Sequence, residues 1–202
     1  MKLLFVDLDG TITSPKINNT FDFIKSFYKY YNIRLYYVKI VILVILSLII
    51  VVIPIRILKI KIRRFQIMIM FKGLDVNQLK DFAETYWINI VYNNLNKEVI
   101  KIIDYYKKRK FRVIMLTACT EIPARIIAKK LKFNDVISTN FIIDNNKVVG
   151  IKNDTFGNLK INAIIKQYSM IEIKEAYYIT DNPKDESELL SMFKKVYIYK
   201  YG

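Results

Sequence analysis

The chain opens on an apolar run, KLLFV at 2–6, which stops at Asp7. A short continuous apolar run bounded by polar residues predicts a buried strand. Residues 14–19, SPKINN, predict a loop, with Thr20 as N-cap of a helix through TFDFIKSFYKYY. Residues 40–55, IVILVILSLIIVVIPI, are apolar apart from Ser47, with Lys39 before them and Arg56 after. The next stretch, RILKIKIRRFQIMIMFK at 56–72, carries six Lys/Arg and no acid, and Gly73 ends it. DVNQLKDFAETYW then predicts another helix, starting near Asp75 or Asn77.

From Asn93 the pattern changes to alternating elements. In NNLNKEVIKIIDYYKKRK, Val99, Ile102, Ile103 and Tyr106 share one helical face, with lysines opposite. FRVIMLT at 111–117 predicts a buried strand. EIPARIIAKKLKF predicts a helix in which Pro123 fits the first turn. DVISTNFIIDNNKVVGI predicts strand, hairpin turn at Asp144–Asn146, strand. NLKINAIIKQYS predicts a helix, AYYITD (176–181) a strand, ESELLSMF a short helix and KVYIYK a last strand. Alternating strands and helices favour a parallel sheet covered on both faces, an α/β fold. The expected division is a core of 1–13 and 95–202, with 14–94 inserted as a helical cap. Within the cap, about 40–71 forms an apolar and basic hairpin.

Composition narrows the chemistry. The 202 residues are 53% hydrophobic and 25% charged, ample for a packed core. The formal net charge of +15 favours nucleic acid, phosphorylated metabolites or an anionic membrane surface without choosing among them. It is equally what a Lys- and Ile-rich composition yields by itself. With one cysteine, Cys119, and no histidine, an internal disulfide and Ser-His or Cys-His nucleophile systems are excluded, and a Cys/His zinc site is implausible. Acid–base work falls to carboxylates, lysine or tyrosine. Only four apolar residues separate Lys2 from Asp7, too few for a signal-peptide core, so a cytoplasmic location is expected.

Ligands of open α/β sheets sit at the carboxyl ends of the strands. Three predicted strands end there in polar residues: Asp7–Leu8–Asp9, Thr117, and Asp181 with Asp185 four residues on. Gly157–Asn158–Leu159–Lys160 brings a lysine to a helix start. Several carboxylates in one cleft repel one another, and a divalent cation with oxygen ligands, Mg²⁺, relieves that repulsion. Lys160, Thr117 and backbone N–H groups of the turn after Asp7 can hold an anion beside it, most simply a phosphoryl group. One aspartate there can attack phosphorus, and its neighbour two residues on can move the protons.

DLDGT, a hydrophobic strand ending in threonine, a lysine at a helix start and TDNPKD, in that order, resemble the four motifs of the haloacid dehalogenase-like hydrolases. VIMLTACTEIPARIIAKKLKFNDVISTNF, VVG and GNLKINAI extend the resemblance to the phosphoserine-phosphatase-like branch, close over about 1–13 and 95–192 and loose across the cap, where FKGLDVNQL is similar to the family's cap segment. The resemblance implies a Rossmann-like three-layer α/β/α core with a helical cap after the first motif. It implies Asp7 as nucleophile and Mg²⁺ ligand, and Asp9 as general acid/base with its carbonyl on the metal. Gly10, Thr11, Thr117, Ala118 and Lys160 would hold the phosphoryl group, with Asp181 on Mg²⁺ and Asp185 ligating through water or orienting the lysine. Thr180–Asp181–Asn182 departs from the branch's usual Gly-Asp-Ser but keeps the carboxylate. Cys119 reads as a small buried side chain, since no histidine activates it. Glu186 reads equally as a helper of Asp185 or as a solvated first-turn glutamate.

The apolar run 40–55 has 16 positions, short of the ~20 that span a bilayer, and a single pass would separate Asp7 from Asp181. Two expectations remain: a hairpin turned near Pro54 that packs in the cap or between two copies, or one that dips into a leaflet with Arg56, Lys59 and Arg63 on anionic headgroups. Peripheral membrane contact through 40–64 is the favoured one. The expected activity is Mg²⁺-dependent hydrolysis of a phosphomonoester, with a small metabolite, a sugar phosphate or a lipid-linked phosphate all allowed. Rivals are a nucleic-acid end phosphatase, disfavoured because the densest basic cluster adjoins the apolar run, and a non-catalytic membrane-associated scaffold.

Overall fold

The computed structural model describes residues 2–52, 55–184 and 186–199. Its centre is the predicted first strand, β1 (Leu3–Val6), which lies between β2 (Arg112–Thr120) and β5 (Tyr177–Thr180) and is parallel to both. β3 (Asp135–Asp144) continues in parallel beyond β2, β4 (Lys147–Asn153) pairs antiparallel with β3, and β6 (Lys195–Ile198) extends the sheet beyond β5. The order is β4-β3-β2-β1-β5-β6. β1 is fully buried along LLFV because both faces of a parallel sheet are covered, so it reads as continuous rather than alternating apolar sequence. Its residues still alternate in space: Leu4 and Val6 join one apolar cluster with Val113 and Met115, while Leu3 and Phe5 join another with Ile114 and Leu116.

The first cluster is covered by α5 (Lys97–Lys108), α6 (Glu121–Lys130) and the helices inserted after β1. The second is covered by α7 (Leu159–Ile165), α8 (Met170–Glu175) and α9 (Ser187–Leu190). The single helix predicted from NLKINAIIKQYS stops at Ile165, and α8 follows as a separate element. Ser169 and Glu172 form a capping box there, an S-x-x-E signal that was present in the sequence. The hairpin turn falls where predicted, with Asn145 and Asn146 at φ 45° and 60°, a conformation asparagine tolerates.

The insertion leaves and rejoins the core side by side: Ser14 N donates to Asn94 O, and Asn96 N to Ile12 O. It contains α1 (Asn19–Tyr30), α2 (Tyr36–Val52), α3 (Arg56–Phe71) and α4 (Val76–Tyr86), then a short π-helical and 3₁₀ stretch over 87–94. The N-cap of α1 is Asn18, not Thr20 as predicted. Asn18 Oδ1 accepts from Phe21 N, and the Asp22 carboxylate accepts from Asn18 N. Thr20 spends its hydroxyl on Thr120 N at 3.1 Å, tying α1 to the end of β2. Asp75 caps α4, as one of the two predicted positions.

Phe23, Phe27, Phe71, Phe82 and Tyr86 pack together inside the insertion, and Phe71 also meets Phe141 of β3 at 5.0 Å. The segment after α3 pairs with the β3–β4 turn: Gly73 N donates to Val148 O, and Val76 N to Asn146 O. α2 and α3 lie against each other, joined by Gln66 Nε2 donating to Ser47 Oγ at 3.0 Å. Pro54, the expected turn, lies outside the described residues.

Candidate active site

A cavity of about 200 Å³ opens at the carboxyl ends of β1, β2 and β5. Asp7, Asp9, Asn18, Arg63, Thr117, Ala118, Phe156, Gly157, Lys160, Asp181, Asn182 and Glu186 line it. The parallel sheet decides this convergence. β1 passes to β2 on one side and is joined by β5 on the other, which leaves a crevice beyond their ends. Asp7 and Asp9 stand on either side of Leu8, which is buried in the core.

Asp7 is buried, and Lys160 Nζ donates to its Oδ1 at 2.9 Å. Lys160 is only 2% exposed. It also donates to Tyr178 Oη at 3.2 Å and makes a short ion pair with Glu186 Oε1. Glu186 is held by two hydroxyls, Tyr178 Oη and Thr180 Oγ1, each donating to Oε2 at 2.9 Å. Asp7, Lys160 and Glu186 therefore form a buried acid–base–acid chain. Burial pushes Asp7 up to about 7, against the opposing pull of Lys160, and the nearby Glu186 adds to the rise. Burial also works against the Lys160 charge, but Asp7, Tyr178 and Glu186 together hold its pKa well above the usual lysine value.

Asp9 is turned the other way. Its Oδ1 accepts from Asn19 N at 2.8 Å and from Asn19 Nδ2 at 2.6 Å, at the first residue of α1. Asn19 is held in turn by Tyr86 Oη at 3.2 Å. Burial raises the Asp9 pKa, and the two bonds from Asn19 act against the rise. Asp181 Oδ1 accepts from Thr11 Oγ1, and Asp181 N donates back to the same hydroxyl, both at 3.0 Å. Burial raises Asp181 as well, against the bond from Thr11.

Gly10, at φ +77°, sits directly under this carboxylate, and a Cβ there would fall 2.2 Å from Asp181 Oδ2. The glycine of DLDGT is thus required twice, by its backbone conformation and by the space it leaves. Thr117 is buried at the end of the predicted segment of β2, its Oγ1 accepting from Cys119 N at 3.0 Å. Its carbonyl is anchored by Thr155 Oγ1 at 2.7 Å.

The sequence-predicted Asp7, Asp9, Thr117, Ala118, Lys160 and Asp181 all meet at the cavity. Gly10 and Thr11, expected on the phosphoryl group, are not among its lining residues. Thr11 is fully buried, and its hydroxyl donates to Asp181 Oδ1. Asp185 lies outside the described residues. The adjacent Glu186 contacts Lys160 and is buried rather than solvated.

Arg63 is the larger surprise. Read as one of three cations on a lipid-facing stripe, it turns from α3 into the cavity, its guanidinium 4.3 Å from the Phe156 ring. Burial lowers its pKa, and Asp9 and Asp154 counter that. Its Nε is buried with no hydrogen-bond partner among the described residues. The side chain of Arg56 lies outside what is described. No sequence signal separated Arg63 from its neighbours, since helical spacing alone cannot say which face looks inward. For Glu186, Tyr178 and Asn19 the only signal was proximity to the motifs. Cys119 is fully buried, and burial pushes its thiol well above the ordinary value, as befits a structural side chain.

A comparison with curated proteins gives no match. Among solved structures, the chain is similar to a protein of unknown function from Bordetella pertussis Tohama I (TM-score 0.74, 12% identity, 94% of this chain and 86% of that one). It is also similar to a phosphoserine phosphohydrolase-like protein from Francisella tularensis subsp. tularensis SCHU S4 (0.67, 15%, 99% and 88%) and to a substrate-bound phosphoserine phosphatase (0.58, 14%, 97% and 85%). At these identities the likeness is one of fold. A sequence profile of the haloacid dehalogenase-like hydrolases matches residues 4–187, a span that includes both aspartates of the first strand end, Thr117, Lys160 and Asp181, and the chain belongs to that family.

Proposed function

We propose that this hydrolase is a Mg²⁺-assisted phosphatase that cleaves a phosphomonoester through an aspartyl-phosphate on Asp7. The observation that carries the reading is the contact of Lys160 Nζ with Asp7 Oδ1, at the floor of a cavity that also receives Asp9 and Asp181. Family membership and the phosphoserine-phosphatase-like fold support a phosphatase.

The chain's own groups can carry the proton and bond changes. An Asp7 carboxylate oxygen attacks phosphorus as the bond to the leaving oxygen breaks, and Asp9, whose carboxyl burial shifts toward the protonated form against the two bonds from Asn19, gives that oxygen its proton. Asp9 then takes a proton from the water that attacks the phosphoryl group, which releases phosphate and restores Asp7. Lys160 holds the nucleophile in place and offsets charge at the floor, and Arg63 adds a second cation from the cap. A cavity of about 200 Å³ lies below the roughly 300–1,000 Å³ of pockets that take drug-sized ligands, which favours a compact phosphorylated head over a polymer.

Among the described residues, no three Asp, Glu or Cys side chains gather as a ready metal cluster. The oxygen donors nevertheless suit Mg²⁺, which needs only one or two carboxylates besides carbonyl, water and phosphate oxygens. Asp7, Asp181 and the Asp9 carbonyl would hold it. When bound, it supplies electrostatic stabilisation to the phosphoryl oxygens and relieves the burial of the carboxylates. The test is phosphate release from an aryl phosphate and from a panel of metabolite, prenyl and lipid phosphates. Activity is expected to disappear with chelator, return with Mg²⁺, and fall at least about 10³-fold in Asp7→Asn. Hydrolysis that survives Asp7→Asn would remove Asp7 as nucleophile.

A further inference from the structure

α2 is the least ordinary element of the molecule. Within its sequence YYVKIVILVILSLIIVV, only Leu43 is buried, while Val51 and Val52 are 80% and 81% exposed. Val41, Val44, Ile45 and Leu48 are exposed as well. Its few polar groups do not break this surface. Ser47 Oγ donates to Leu43 O and accepts from Gln66 Nε2, inside the seam with α3. Lys39 reaches back to Tyr28 Oη at 2.6 Å. A helix that is apolar on every side needs an apolar surrounding, and among the described residues α2 finds it along the seam with α3 and, at its N-terminal end, against Tyr28 of α1.

We infer that the α2–α3 hairpin docks on an anionic phospholipid surface, with α2 lying in the boundary between headgroups and acyl chains. Charge selects this occupant over a second copy of the chain. Residues 23–74 hold ten Lys/Arg and no Asp or Glu, so two hairpins brought face to face would confront cation with cation. Anionic headgroups meet the same cations with opposite sign. Lys61 is exposed on α3 and Arg34 at the base of the hairpin, while Arg64, also exposed, has the Asp154 carboxylate 3.8 Å away. Tyr30, Tyr31 and Tyr37 are exposed at that base, and tyrosine suits the membrane–water interface because one end of its ring is apolar and the other wet.

Length fixes the mode of contact. The 17 residues of α2 extend about 25 Å, less than the ~30 Å of a bilayer core. Among the described residues no helix is long and apolar enough to cross a membrane. α3 sends Arg63 into the cavity and exposes Lys61 and Phe65 two residues to either side, so the lipid-facing element is also a wall of the site.

The test uses the full chain and sedimentation with vesicles of phosphatidylcholine, with and without phosphatidylserine. Partitioning is expected to rise about tenfold or more when the anionic lipid is present, and to weaken with salt. The double substitution Leu48→Asp/Val51→Asp is expected to lower binding to the anionic vesicles at least about tenfold. Both positions are exposed, so the variant should keep its circular dichroism and thermal midpoint. As a second readout, Val52→Trp should show a blue-shifted emission component with anionic vesicles, beyond the unchanged signal of Trp87. Absence of binding by folded protein, equal binding by the aspartate variant, or a concentration-dependent dimer that hides residue 52 without lipid would each overturn the inference. None of these readouts depends on hydrolysis, so the reading of Asp7 stands or falls separately.

Discussion

At the ends of β1 and β5 the chain buries charge, and along α2 it exposes hydrocarbon. Asp7, Lys160 and Glu186 lie out of water yet each is paired, with Tyr178 and Thr180 adding hydrogen bonds to Glu186. Val51, Val52 and Leu48 are exposed. Both arrangements go against the ordinary partition of side chains, and both point to use. They are constrained differently. The buried charges depend on atoms at hydrogen-bond distance, so almost any substitution leaves a group unpaired. The exposed helix depends only on being apolar, so individual residues are exchangeable and their sum matters.

That contrast can be broken most directly at Lys160. Lys160→Met leaves Asp7 and Glu186 buried without their shared cation. We expect a loss of about 3–5 kcal/mol, read as a lowered thermal midpoint and denaturant midpoint, together with loss of hydrolysis. A variant as stable as the parent would show that the chain of charges is not a structural keystone. Next comes Arg63→Ala. Arg63 meets the site from the cap with an Nε that has no partner among the described residues, so its loss should lower kcat/KM about tenfold or more with little change in stability. Steady-state kinetics on the best substrate of the panel would decide this, and unchanged kinetics would return Arg63 to a plain cap role. The smallest effect belongs to α2: Leu48→Ser should alter unfolding free energy within about 0.5 kcal/mol, because the side chain is already exposed. A large loss would mean that the helix is covered in the free protein.

Much of this was readable from residues in order. LLFV reads as a strand buried on both faces because its apolar run is short and unbroken. The hairpin at Asp144–Asn146 was legible because asparagine tolerates positive φ. That Asp7, Asp9, Thr117 and Asp181 at strand ends and Lys160 at a helix start would meet at one cavity was legible from their order in the chain. The misses share one cause. Thr20 was an acceptable cap, but its hydroxyl was claimed by Thr120, a hundred positions away. Glu186 was one acid among several near the last motif until Tyr178 and Thr180 closed around it.

By itself, then, the sequence determined the alternation of elements, the glycine turn after Asp9 and the set of oxygen and cation groups available for catalysis. These follow from local backbone preference, periodicity and side-chain chemistry, all of which act over a few residues. Only the tertiary structure decided which partners those groups chose. It set Lys160 between Asp7 and Glu186, aimed Arg63 inward while Lys61 and Phe65 face out, and left most of the apolar surface of α2 exposed. Such choices turn on which distant side chain arrives within hydrogen-bond or van der Waals reach, and those distances come into being only when the sheet and the insertion pack together.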